Sequence, residues 1–334
     1  MSSEMTDEET RSIAALEREV RELRRANETL KMYVARALEL DLKLPRHNDG
    51  FATNKDRVGT TPPPEVSEVS DAAPAVVRFG VLGPVEASVA GRRVDLGAPK
   101  QRAAAALLVS QVGQPVSVDV MVEELWGGNP PRSAITALHA YVANLRRALE
   151  PDRAPRKPAT VLCTRGRGYL LESRAVEVDV HRFGERATGG WQALDQRDLQ
   201  RALSEFEAGL ALWRGKAYTE VADAPRVAPE VARLEELRLS VVEGRCATLI
   251  ALGAHGLAVS ELAAFTRAYP LREYGCELLS LALYRSGRQA DALAVLRTHQ
   301  KRMAEELGID PSPALRQLES QILRQAPALD RLSN

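Results

Sequence analysis

Two arginines set between glycines, in Thr164-Arg-Gly-Arg-Gly168, carry the clearest chemistry in this chain. A hairpin tip of this kind brings a guanidinium against a nucleic-acid backbone, or into a narrow minor groove where the negative potential is enhanced. Arg165 and Arg167, with Thr164 beside them, are therefore candidate DNA contacts. A second set lies just upstream, at Ser133, Thr136, Ala140, Asn144 and Arg147. These side chains are short or polar, so a helix carrying them can settle into a major groove and bond base edges or phosphates. Arg132 precedes the set, and His139 lies at its flank. Lys100 and Arg102 suit phosphate positioning, which gives register but no sequence choice. The plain alternatives are a solvated turn and ordinary surface charge.

Positioning these groups requires a helix followed by a hairpin. In Ser133–Glu150 the apolar residues Ile135, Leu138, Val142, Leu145 and Leu149 step by three and four, which predicts one buried helix face. Arg146 falls at the edge of that stripe and Arg147 on the outward side. Val161 to Leu171 reads as two short strands around the Arg-Gly turn. Before them, short strands are expected at Val76–Leu82, Val85–Val89 and Arg92–Leu96, forming a small antiparallel sheet. Pro99 opens a helix through Val109, and Ser117 caps another, Val118–Trp126. The order is sheet, three helices, hairpin: a winged helix in outline.

The formal net charge is zero, but the balance is uneven along the chain. Arg78 to Glu172 holds 13 Lys and Arg against 8 Asp and Glu, a balance of +5, as phosphate binding requires. No run approaches the length of a membrane span, and the acidic start MSSEMTDEET is unlike a signal peptide, so a cytoplasmic location is expected. Cys163, Cys246 and Cys276 have no metal-ligand spacing, so neither zinc nor disulfides are expected. Phosphate-loop, nucleophile-elbow, metalloprotease and kinase signatures are missing, which points to a non-enzyme without cofactor.

Residues 1–44 carry a heptad with Ile13, Val20, Asn27 and Val34 at a, and Leu16, Leu23, Leu30 and Ala37 at d. This composition predicts a parallel dimer zipper, with Asn27 fixing register. A helix folded back on the C-terminal region is the alternative. Residues 45–77, with Pro62-Pro-Pro64 and few large apolar side chains, read as a flexible linker. From about Asp179 the chain is alanine-rich and helical, with breaks expected at Gly189-Gly190, Gly215, Pro225 to Pro229, Gly253 to Gly256, Pro270, Gly287 and Gly308 to Pro313. Seven or so helices in irregular, tetratricopeptide-like hairpins are expected. The fold class is mostly α with a small β component, and the expected units are 1–44, 45–77, 78–172, 173–326 and a tail, 327–334.

The segments FGVLGPVEASVAGRRVDLGAPKQRAAAALL, VEELWGGNPPRSAITALHAYVANLRRAL and TRGRGYLL, with LWRGKAYTEV, RLEELRLSVVE, PLREYGCELLSLALYRSGRQADALAVL and ELGIDPSPALRQLE, resemble the Streptomyces antibiotic regulatory protein family. The resemblance covers residues 78 to about 326 and implies a response-regulator-type winged helix-turn-helix followed by a bacterial transcriptional activator domain. It also implies a helix in the major groove, Arg165 in the minor groove, promoter DNA with direct repeats as partner, and contact with RNA polymerase holoenzyme. The zipper lies outside the family core, so the resemblance neither supports nor excludes a homodimer through it. The rival reading is a helical-repeat interaction scaffold with a vestigial winged helix.

Overall fold

The computed structural model describes residues 76–326 and Leu329. The zipper positions Ile13, Leu16, Val20, Leu23, Asn27, Leu30 and Val34 lie outside the described residues.

A sheet opens the fold. Strands β1 (Val77–Gly80), β2 (Glu86–Val89) and β3 (Arg92–Val94) form an antiparallel meander, as the alternating burial of β1 and the Gly83 and Gly91 turns direct. Three helices follow: α1 (Pro99–Ser110), α2 (Val118–Trp126) and α3 (Ala134–Leu149). Pro99 stands in the first turn of α1, where its missing N–H costs nothing, and the hydroxyl of Ser117 accepts from the Val120 amide to cap α2. A second sheet, in the order β4 (Val116–Ser117), β6 (Gly168–Leu171), β5 (Leu162–Arg165), places the hairpin beside the helices.

The first sheet has a fourth strand that the sequence pattern does not predict. Strand β7 (Val176–Val178) returns parallel to β1, pairing Val77 with Val176 and Phe79 with Val178. It leads directly into the helical region: α4 (Asp179–Asp195), α5 (Leu199–Leu210), α6 (Ala228–Ala251), α7 (His255–Ala268), α8 (Glu273–Arg285), α9 (Gln289–Arg302) and α10 (Pro313–Leu323).

Helix α4 runs unbroken through Gly189-Gly190, where an end is expected from the sequence. The reason is packing. A Cβ on Gly190 would overlap the ring of Phe206, and one on Gly244 would overlap Trp191. These glycines let α4, α5 and α6 close around a Trp191–Phe206 edge-to-face pair whose centroids are 4.9 Å apart.

One apolar core runs from Val77 to Val241, joining both sheets, α1 to α5 and the first half of α6. A second, from Cys246 to Leu329, fills the later helices. The winged-helix part and the first activator helices are thus packed as one body. The Asp179 carboxylate accepts from the Val81 amide at 2.9 and 3.0 Å and from the Leu82 amide at 3.1 Å. Arg214 lies 3.4 Å from it and donates to the Pro84 carbonyl at 2.8 Å. Burial pushes the Asp179 carboxyl above its ordinary value, against the pull of those amides and of Arg214.

Candidate nucleic-acid interface

Helix α3 buries Ala134, Leu138, Val142, Leu145 and Leu149 against α1 and α2. Its outward face exposes Thr136, His139, Ala140, Ala143 and Arg147, with Arg132 and Ser133 just before it. Ile135 departs from the expected inward stripe: it is 50% exposed. The cause is angular. At 100° per residue, Ile135 sits at the edge of the stripe, and Ala134 takes the buried place at the helix start.

Asn144 also departs from its expected role. It is half-buried, and its Nδ2 donates to Gln101 Oε1 at 3.0 Å while its Oδ1 accepts from Arg147. Gln101, itself buried, donates through Nε2 to the Leu96 carbonyl at 2.9 Å. The amide of Asn144 is thus engaged at both ends, seating Arg147 on the helix surface. Gln101 is a residue that sequence reasoning misses. Its only signal is an amide just ahead of the apolar run Ala103–Val109, a place where a polar group that becomes buried needs a partner.

The wing is fixed to α3 by Arg146. Its Nε donates to the Leu162 carbonyl at 2.8 Å, its Nη2 to Thr164 Oγ1 at 2.8 Å, and its guanidinium lies 5.7 Å from the Tyr169 ring centre. Arg165 pairs with Gly168, leaving Gly166 and Arg167 as a two-residue turn. Gly166 at φ +56° gives the positive φ that the first central position of a type II′ hairpin turn demands. Gly168 is held to glycine by proximity, since a Cβ there would overlap the Val116 carbonyl of β4. Arg165 and Arg167 are exposed, and like Arg132, Thr136 and His139 they bond to no other side chain among the described residues.

Lys100 and Arg102 are engaged elsewhere. The Lys100 ammonium donates to the Leu125 carbonyl at the end of α2 and lies 5.7 Å from the Trp126 ring centre. Arg102 donates to the Gly97 carbonyl at 3.0 Å and lies 3.5 Å from Glu220, whose carboxylate also accepts from the Val85 amide. Both side chains serve internal contacts, and neither joins the face formed by α3 and the wing.

A groove-sized helix with a small, polar outward face, held against an arginine-tipped wing, defines a winged-helix regulator. The sequence bears this out. It matches the family described as "Transcriptional regulatory protein, C terminal" over residues 91–171 and the "Bacterial transcriptional activator domain" over residues 178–323. Regulatory protein DnrI of Streptomyces peucetius is 38% identical over 260 residues, 76% of this chain and 95% of that protein. Transcriptional regulator RedD of Streptomyces coelicolor is 36% identical, over 79% of this chain and 77% of that protein. Regulatory protein AfsR of Streptomyces coelicolor is 40% identical over 77% of this chain, but the match spans only 25% of AfsR. Among solved structures, Mycobacterium tuberculosis EmbR in complex with a low affinity phosphopeptide superposes with a TM-score of 0.67 at 34% identity, covering 77% of this chain and 68% of that one. The chain belongs to the Streptomyces antibiotic regulatory protein family of transcriptional activators.

Among the described residues no helix is long and apolar enough to cross a membrane, and no cluster of side chains could hold a metal ion.

Proposed function

We propose that this chain is a non-enzymatic, pathway-specific activator of a secondary-metabolite gene cluster, acting in the cytoplasm on direct repeats near promoters. Helix α3 enters the major groove, with Thr136, His139 and Arg147 toward base edges or phosphates. Arg165 and Arg167 anchor the wing on the backbone or in the minor groove, and Arg132 and Ser133 bond phosphates at the helix start. The tetratricopeptide-like helices α6 to α10 reach RNA polymerase holoenzyme. The observation that carries the reading is the pairing of an outward α3 face of small and polar side chains with two wing arginines whose side chains bond to no other side chain among the described residues. A vestigial winged helix has no reason to keep both.

The test is selection of duplexes from a random pool by the full chain, followed by run-off transcription from a promoter bearing the enriched site. Enrichment of a repeated motif together with polymerase-dependent activation supports the proposal. An unenriched pool refutes it and favours the interaction scaffold. Homodimerisation through Ile13 to Ala37 is a separate part of the proposal. Equal mass by light scattering with and without residues 1–44 refutes that part.

A further inference from the structure

Ile135 falls in the apolar stripe by sequence, yet half of it is open to solvent. Within residues 77–172 it is the only large apolar side chain so exposed among the described residues. Single exposed apolar residues are common on protein surfaces, so exposure alone assigns nothing. Its position does. Ile135 is the second residue of α3, beside the exposed Arg132, Thr136 and His139. It stands eleven residues before Arg146, close to three turns, and so shares the wing-side flank on which Arg146 reaches Leu162 and Thr164. This is the N-terminal end of the helix, the part that meets base edges in helix-turn-helix proteins. A β-branched residue there gives up helix propensity relative to alanine and gains little burial in return. In the major groove the one apolar base feature is the C5-methyl of thymine, and aliphatic side chains are its natural partners.

We infer that Ile135 reads a thymine methyl, so that one T·A pair of the operator is chosen by an apolar contact. The inference rests on the DNA-binding role of α3 proposed above. It adds a source of specificity that needs no hydrogen bond, on a helix whose Asn144 amide is already committed to Gln101 and Arg147.

The experiment uses the full chain and the duplex it enriches from a random pool. Each thymine is replaced in turn by deoxyuridine, which removes the methyl and keeps every hydrogen-bonding group. One replacement is expected to weaken wild-type binding by about fourfold, the factor for one methyl withdrawn from burial. The Ile135→Ala variant should bind the unmodified duplex about fourfold more weakly and be indifferent to that same replacement. Its affinity for a scrambled duplex and its salt dependence should match wild type, because no charge is removed. The side chain is exposed, so the thermal midpoint should not fall. If every replacement that weakens wild type weakens Ile135→Ala equally, another group such as Thr136 reads the methyl and the inference is wrong. If no replacement matters to wild type, no methyl is read. A wild-type chain that binds enriched and scrambled duplexes alike overturns the DNA-binding role itself, a result distinct from either of these.

Discussion

Arg146 and Thr164 meet at 2.8 Å, and through that bond the recognition helix and the wing become one surface. The same guanidinium holds the Leu162 carbonyl. Replacing Arg146 with Met leaves a partly buried carbonyl without its donor, so a stability loss of about 1–2 kcal/mol is expected by thermal or urea melting. DNA affinity should drop with no change in which bases are preferred, because Arg146 orients the wing without facing a groove. A shifted base preference in selected duplexes would assign it to the interface directly.

Arg147→Ala and Arg165→Ala should each weaken binding and lower the slope of log affinity against log salt by roughly one unit for each phosphate that is no longer neutralised. Lys100→Ala and Arg102→Ala should leave that slope unchanged, since their cations face Leu125, Trp126 and Glu220. Gel-shift titrations at several salt concentrations separate the two pairs. A slope that falls for Lys100→Ala would show that its internal bond opens on DNA.

Gly190→Ala and Gly244→Ala insert a methyl into the Phe206 and Trp191 rings. Overpacking of this kind costs about 1–3 kcal/mol. Melting temperatures should drop for both, whereas Gly184→Ala, whose site is open, should be neutral or stabilising.

Arg272, in the loop between α7 and α8, clamps α6 by bonding Glu243 at 2.7 and 3.1 Å and Glu236 at 2.8 Å. Glu243 is almost fully buried. Arg272→Met leaves that carboxylate without its partner, at a cost of about 3–5 kcal/mol. The double variant Arg272→Met with Glu243→Leu should regain much of the loss. Urea denaturation of the two variants is the check, and an Arg272→Met variant as stable as wild type would contradict the clamp.

Cys246 and Cys276 are buried, and desolvation pushes both thiols up to about 12. Thiolate is the reactive form, so both should resist iodoacetamide in the native protein near neutral pH. Cys163 on β5 is only half-buried and should be modified first. Mass spectrometry of the labelled native and denatured chain distinguishes the three sites.

Helix α3, the Ser117 cap, the Arg-Gly turn and the alanine-rich helices are legible in the sequence because each depends on local periodicity and capping, which neighbouring residues dictate. The early strands are legible for the same reason. Strand β7 is not: Val176-Glu-Val178 is three residues long and becomes a strand only by pairing with β1, about a hundred positions earlier. The same limit explains Gly190, which looks like a helix break in one dimension and is a point of contact in three.

Periodicity, capping and regional charge are written residue by residue, so a basic winged helix ahead of an alanine-rich helical region follows from the order of residues alone. Which polar groups remain free to meet a ligand is instead a product of packing. Lys100, Arg102 and Asn144 carry the right chemistry and are spent on Leu125, Glu220 and Gln101, while Ile135 carries the wrong pattern and is left in solvent. The reason is that a side chain's availability depends on what packs beside it, and those neighbours come from distant parts of the chain.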